Sequence, residues 1–135
     1  MDALGRVRPL MVVAAVLVAS AAYVLMARDD APYGDVSVEQ AWSLIQDRPN
    51  LVILDVRTAA EYEEGHIPGA VNIPVQEIEE RLGELDPSSE YLVYCRTGNR
   101  SSVAVQVMKA AGLDRVYHMS EGITAWVSAG YPVAG

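Results

Sequence analysis

Cys95 is the only cysteine in the 135-residue chain, and the residues around it are those whose types and spacing could do chemistry. It follows the apolar run Tyr91-Leu92-Val93-Tyr94 and opens a polar stretch, residues 96–99, that contains Gly98; a helical pattern begins at Arg100. A strand end, a tight turn and a helix start aim successive backbone amides at one point, and the helix N-terminus adds partial positive charge. Arg96 and Arg100 bring two permanent cations. Each effect favours thiolate over thiol, so Cys95 is expected to be nucleophilic with a lowered pKa. A lone cysteine can also be an inert buried hydrophobe, but apolar burial calls for neither two flanking arginines nor a loop glycine.

A thiolate among anion-binding groups suits attack on a sulfane sulfur, because the sulfite expelled from thiosulfate is a stable anion that leaves without a proton. Peptide or ester hydrolysis would want a base such as histidine beside the nucleophile. His66 lies in the turn-like Gly65-His66-Ile67-Pro68-Gly69, and His118 ends an apolar run; both read as rings hydrogen-bonded to backbone. The spacing of His66, Cys95 and His118 matches no zinc pattern, so no metal is expected. One cysteine also excludes a disulfide framework and a CxxC redox pair.

The elements that must position this loop are legible around it. Ser37 with Gln40 is a capping-box pattern, and Val38, Ala41, Trp42 and Ile45 follow at helical spacing, giving a helix to about Asp47. Residues 51–54 suit a strand buried on both faces, and Thr58 with Glu61 caps a short helix ending at Gly65. Residues 70–73 suggest another short strand, and Val75, Ile78, Leu82 and Leu85 mark one apolar helix face. After the cysteine loop, Val103, Ala104, Val107, Met108 and Ala111 are expected to face the core, with Gly112 as the stop. A strand over 115–118 and a helix over 122–129, ended by Gly130 and Pro132, complete the pattern. Strands and helices alternating at this spacing predict an α/β fold with a mainly parallel sheet flanked by helices. In such a sheet, ligands bind outside the carboxyl ends of the strands, where Cys95 falls.

Residues 10–27 carry no charge. As a helix rising ~1.5 Å per residue they reach about 27 Å, enough for a thin bilayer. Arg6 and Arg8 precede the run, while Asp29, Asp30 and Asp35 follow it, so the bias of positive charge puts the N-terminus inside and the body outside. The expectation is an N-terminal hydrophobic helix over 1–27 that anchors the chain in the cytoplasmic membrane, a linker over 28–36, and a domain over 37–135 on the periplasmic side. The alternative is a signal peptide cleaved near Ala19-Ser20-Ala21, which releases a soluble domain into the same compartment. The chain has 18 acids and 10 bases. Removing Asp2, Arg6 and Arg8 with the first 27 residues leaves 17 acids against 8 bases, a poor partner for nucleic acid.

Cys95-Arg96-Thr97-Gly98-Asn99-Arg100-Ser101 resembles the active-site loop of rhodanese-homology domains, the thiosulfate- and persulfide-dependent sulfurtransferases. Asp55-Val56-Arg57, Glu61-Tyr62 and the stretch from Gly65 to Pro74 resemble that family's first signature. Gly122-Ile123, Ala125-Trp126 and Gly130-Tyr131-Pro132-Val133 resemble its C-terminal one. The resemblance implies a Cys95 persulfide cradled by the amides of residues 96–101, including Thr97, Gly98, Asn99 and Ser101, with Arg96 facing a small anionic or persulfide donor. The acceptor would be a thiol or cyanide, and no cofactor is implied. Asp55, Arg57, His66 and Trp126 would be framework, and Arg100 would close the loop by pairing with a buried acid, for which Asp55 is the candidate. Where the family often has Gly-Gly before its last helix, this chain has Glu121-Gly122, a glutamate that could sit at the site rim and discourage anionic donors. A non-catalytic partner-binding or sulfide-sensing module is the alternative, against which the intact cysteine loop argues. The related cell-cycle dual-specificity phosphatases separate cysteine and arginine by five residues; here four lie between Cys95 and Arg100, a loop too short for phosphate.

Overall fold

Five parallel strands in the order β1-β5-β4-β2-β3 form the sheet of this computed structural model, which describes residues 33–135. The strands are β1 (Gly34–Val36), β2 (Val52–Asp55), β3 (Val71–Asn72), β4 (Tyr91–Tyr94) and β5 (Val116–Met119). The helices are α1 (Val38–Asp47), α2 (Ala59–Glu64), α3 (Asn99–Ala110) and α4 (Gly122–Ser128). Both capping boxes are present. The Ser37 hydroxyl accepts from the Gln40 amide and the Thr58 hydroxyl from the Glu61 amide, while each partner side chain reaches back to the cap's own N–H.

β4 is central, and all four of its residues are buried, as expected for a parallel strand covered on both faces. On one face Leu92, Tyr94, Tyr117 and Met119 pack with Ala41 and Leu44 of α1 and Trp126 of α4. On the other, Leu54, Val93, Cys95 and Val116 pack with Ala104, Val105 and Met108 of α3. The indole N–H of Trp126 donates to the Pro132 carbonyl (2.8 Å), and an antiparallel bridge joins Ala134 to His66.

Three expectations need correction. Residues 34–36, expected to end a linker, form edge strand β1 and pair in register with β5. Their Gly and Asp disguised a strand only three residues long. The apolar face from Val75 to Leu85 is two separate 3₁₀ turns, Val75–Glu77 and Leu82–Glu84, rather than one helix. Ile78 and Leu85 are buried against the α3 face, so the apolar spacing is real but is delivered by turns, with Pro74 at one end, Pro87 at the other and Gly83 between. On α3, Val103 is solvent-exposed and Ser101, Ala104, Val105 and Met108 line the core; Ala111 lies past the helix end. The rotation follows from Ser101, whose hydroxyl is drawn inward to Cys95. The N-terminal hydrophobic helix, the anchor reading and most of the expected linker fall outside the described residues. Among the described residues no helix is long and apolar enough to cross a membrane.

Candidate active site

The last residue of β4 leads directly into Cys95 at the carboxyl edge of the sheet, and the chain turns through residues 96–98 into α3. Gly98 makes the turn possible. Its φ of +106° is a left-handed conformation, and a Cβ there would collide with the Ser120 carbonyl oxygen. Gly122, at φ +73°, lies so close to the Arg96 carbonyl that a Cβ would clash with it. With no side chain in the way, the first amides of α4 clamp the loop: Ile123 N–H donates to the Cys95 carbonyl (2.9 Å) and Thr124 N–H to the Arg96 carbonyl (3.2 Å).

Inside the turn, the Gly98 N–H donates to Cys95 Sγ at 3.1 Å and the Ser101 hydroxyl reaches it at 3.2 Å. Burial pushes the thiol pKa up, but the Ser101 hydroxyl and the amides of Ser101, Gly98 and Thr97 outweigh it, and the net shift is downward. Cys95 itself is 1% exposed. The cleft outside the loop, about 520 Å³, is lined by Arg57, Glu61, Arg96, Thr124, Val127 and Val133, among others. Thr97 and Asn99 are exposed on the loop and the first turn of α3.

Arg100 does not pair with Asp55. Its guanidinium makes a two-pronged pair with Glu61 of α2, at 2.6 and 2.9 Å. Asp55 is fully buried and already satisfied: Arg57 donates to both its oxygens, the closest contact being 2.6 Å, and the Tyr94 hydroxyl donates at 2.7 Å. Arg57 also donates to the Gly65 carbonyl, and Tyr94 accepts from the Ile67 amide, so this network ties β2 and β4 to the turn before β3. The hydrogen bond from the Arg100 guanidinium lowers the Glu61 carboxyl most; burial opposes it, and with the Thr58 amide and hydroxyl the net result is a titration at about 2. Arg96, by contrast, forms no ion pair among the described residues.

His66 stands as expected: Nδ1 bonds the Tyr62 carbonyl at 2.7 Å and the ring stacks on Tyr62 with centroids 3.8 Å apart. Trp126 is fully buried in the cluster on the other face of the sheet from Cys95. The Glu121 carboxylate accepts from the Val38 N–H (3.2 Å), so it caps α1 rather than standing free at the rim. His118 is not bonded to backbone as read. Its Nε2 lies 2.7 Å from Ser101 Oγ and its Nδ1 3.0 Å from Asp35 Oδ1. The sequence reading missed the site-shaping parts played by Glu61, Tyr94, His118 and Asp35. The one available signal was that a strand paired beside β4 would bring a histidine at 118 near a cysteine at 95.

The sequence model of the family described as "Rhodanese-like domain" matches residues 37–129. The chain is 31% identical over 99 residues to a protein named sulfurtransferase from Allochromatium vinosum, covering 73% of this chain and 92% of that one. It is 33% identical over 94 residues to the thiosulfate sulfurtransferase GlpE of Coxiella burnetii, covering 70% and 87%. Its 38% identity with YrkF of Bacillus subtilis extends over 92 residues, 68% of this chain but only 50% of that protein. Among solved structures, a rhodanese-related protein from Thermoplasma volcanium superposes with a TM-score of 0.69 at 32% identity, covering 76% of this chain and 98% of that one. Motif, sheet order and relatives agree, and the chain belongs to the rhodanese-like domain family.

Proposed function

We propose that the domain is a sulfurtransferase in which Cys95 takes a sulfane sulfur from thiosulfate or a persulfide donor and passes it to a thiol or to cyanide. The observation that carries this reading is the Cys95 sulfur held inside the turn that leads from β4 into α3, with the Gly98 N–H at 3.1 Å and the Ser101 hydroxyl at 3.2 Å. These donors favour the thiolate before reaction, and their convergence suits one further sulfur atom and its negative charge. A nearly buried sulfur suits a donor that presents a slim terminal atom. No general acid is needed, since sulfite leaves as an anion.

Arg96 is the group that draws an anionic donor. Arg57 and Arg100 also stand near the loop, but Asp55 and Glu61 neutralise them, so Arg96 is the arginine of the cleft lining without an ion-pair partner among the described residues, with the Glu64 carboxylate on the same lining. Relatives named sulfurtransferase and thiosulfate sulfurtransferase support the same reaction class. The uncharged run 10–27 and its flanking charges support an anchored domain on the outer side of the cytoplasmic membrane.

Intact-mass measurement after incubation with thiosulfate tests the reading. The protein is expected to gain the mass of one sulfur atom, to lose it on adding cyanide, and to show no gain as Cys95→Ser. An unchanged wild-type mass with every donor tried would favour a non-catalytic module.

A further inference from the structure

His118 is nearly buried on β5 and is bonded at both ring nitrogens. Nδ1 lies 3.0 Å from Oδ1 of Asp35, its register partner on β1, and Nε2 lies 2.7 Å from Ser101 Oγ. Ser101 Oγ in turn lies 3.2 Å from Cys95 Sγ. A carboxylate only accepts, so Nδ1 carries a hydrogen and Nε2 is the nitrogen that can gain or lose one.

Ser101 has a single hydroxyl hydrogen to give. While Nε2 is bare it takes that hydrogen, and the serine oxygen then accepts from the Cys95 S–H. When Nε2 is protonated it donates to the serine oxygen, and the hydroxyl hydrogen turns to the sulfur, which is then thiolate. The Gly98 carbonyl, 3.1 Å from the same oxygen, competes for this hydrogen, but a charged acceptor makes the stronger bond. The chain of bonds therefore has two self-consistent arrangements, thiol with neutral imidazole and thiolate with imidazolium. They differ by one proton moved across Ser101.

We propose that Asp35, His118 and Ser101 form a proton relay that takes the Cys95 proton onto His118 and so prepares the thiolate. The proposal rests on the reading of Cys95 as the sulfur-carrying nucleophile. In loading, the electron pair on thiolate Sγ forms a bond to the outer sulfur of thiosulfate, the bond from that sulfur to the sulfonate sulfur breaks, and its pair leaves on sulfite. The proton remains on Nε2. In discharge, an acceptor thiolate takes the outer sulfur, the Sγ–S pair returns to Sγ, and the imidazolium stabilises that leaving thiolate through Ser101. Asp35 from β1 is the charged group facing the ring, and Cys95 at the end of β4 faces it through Ser101 of α3. His118 is a positioning and proton-holding residue, since it does not touch the sulfur.

The test is the rate of Cys95 alkylation by iodoacetamide across pH in the full chain, as wild type, His118→Gln and Asp35→Asn. It needs no sulfur donor, so failure of the relay is distinguishable from failure of the sulfur-transfer reading. Glutamine can occupy the site and bond Ser101 but cannot take a proton. In His118→Gln the alkylation midpoint is expected to move up by about one pH unit, which is about tenfold less thiolate below the midpoint. Asp35→Asn is expected to move it the same way by less. A folded His118→Gln variant with the wild-type midpoint overturns the relay. If that variant does not fold, Asp35→Asn decides, because the Asp35 side chain is 75% exposed and tolerates the change; an unmoved midpoint there overturns the relay too.

Discussion

Glu61 holds three hydrogen-bonding groups at once: the Thr58 amide, the Thr58 hydroxyl and the Arg100 guanidinium. Glu61→Gln preserves the capping box, which accepts Glu or Gln, and removes only the charge opposite Arg100. With both side chains a quarter to a third exposed, solvent screening keeps the expected loss near 1 kcal/mol, read by urea unfolding at neutral pH. The acid limb gives the sharper sign. The folded carboxyl titrates at about 2, below its ordinary 4.5, so the pair's contribution is whole above about 4.5 and is lost as pH falls toward about 2. Glu61→Gln should flatten the wild-type loss of stability across that window. Arg96→Ala should raise the KM for thiosulfate about tenfold at low salt and hardly change transfer from a neutral persulfide. An equal loss with both donors would make Arg96 structural. Cys95 and its loop were legible because a nucleophile's requirements are local in sequence. The partner of Arg100 was not, because it depends on Asp55 being already saturated by Arg57 and Tyr94, a fact of three-dimensional arrangement.

At the scale of elements, the cysteine loop is shaped as much by α4 as by its own residues. The start of α4 donates two amides to loop carbonyls and leaves no space for a side chain at Gly122. Gly122→Ala should therefore cost about 1–3 kcal/mol from backbone strain and push the loop away from α4, depressing sulfur transfer. Gly130 also has positive φ but open space around it, so Gly130→Ala should cost about 1 kcal/mol and spare the activity. Equal losses of activity in the two variants would contradict the clamp. Strands and helices with strong periodicity or caps were readable: the Ser37 and Thr58 boxes start α1 and α2 where expected. Short edge pieces were not. β1 is three residues containing a glycine and an aspartate, and its identity as a strand comes from pairing with β5. That pairing also brings Asp35 to His118, which no local pattern announces.

For the whole molecule, acidity and topology make separate predictions. A formal charge of −8 leaves the protein as a whole poorly suited to anionic partners, while Arg96 supplies a cation at the cleft. Residues 10–27 predict that full-length chain fractionates with the membrane and that a reporter fused after Gly135 behaves as periplasmic in a bacterial host. A soluble periplasmic product beginning near residue 22 would mean a cleaved signal instead, and cytoplasmic reporter activity would contradict both. The central claim concerns one atom moving onto Cys95, so its most direct measurement follows that atom. Thiosulfate isotopically labelled at the outer sulfur, and in a parallel sample at the inner sulfur, is incubated with the protein, and the label on Cys95 is read by peptide mass analysis. The outer label alone is expected on Cys95, and cyanide should discharge it as labelled thiocyanate. Absence of label on Cys95 during sulfite release, or appearance of the inner label there, would contradict sulfur transfer through this cysteine.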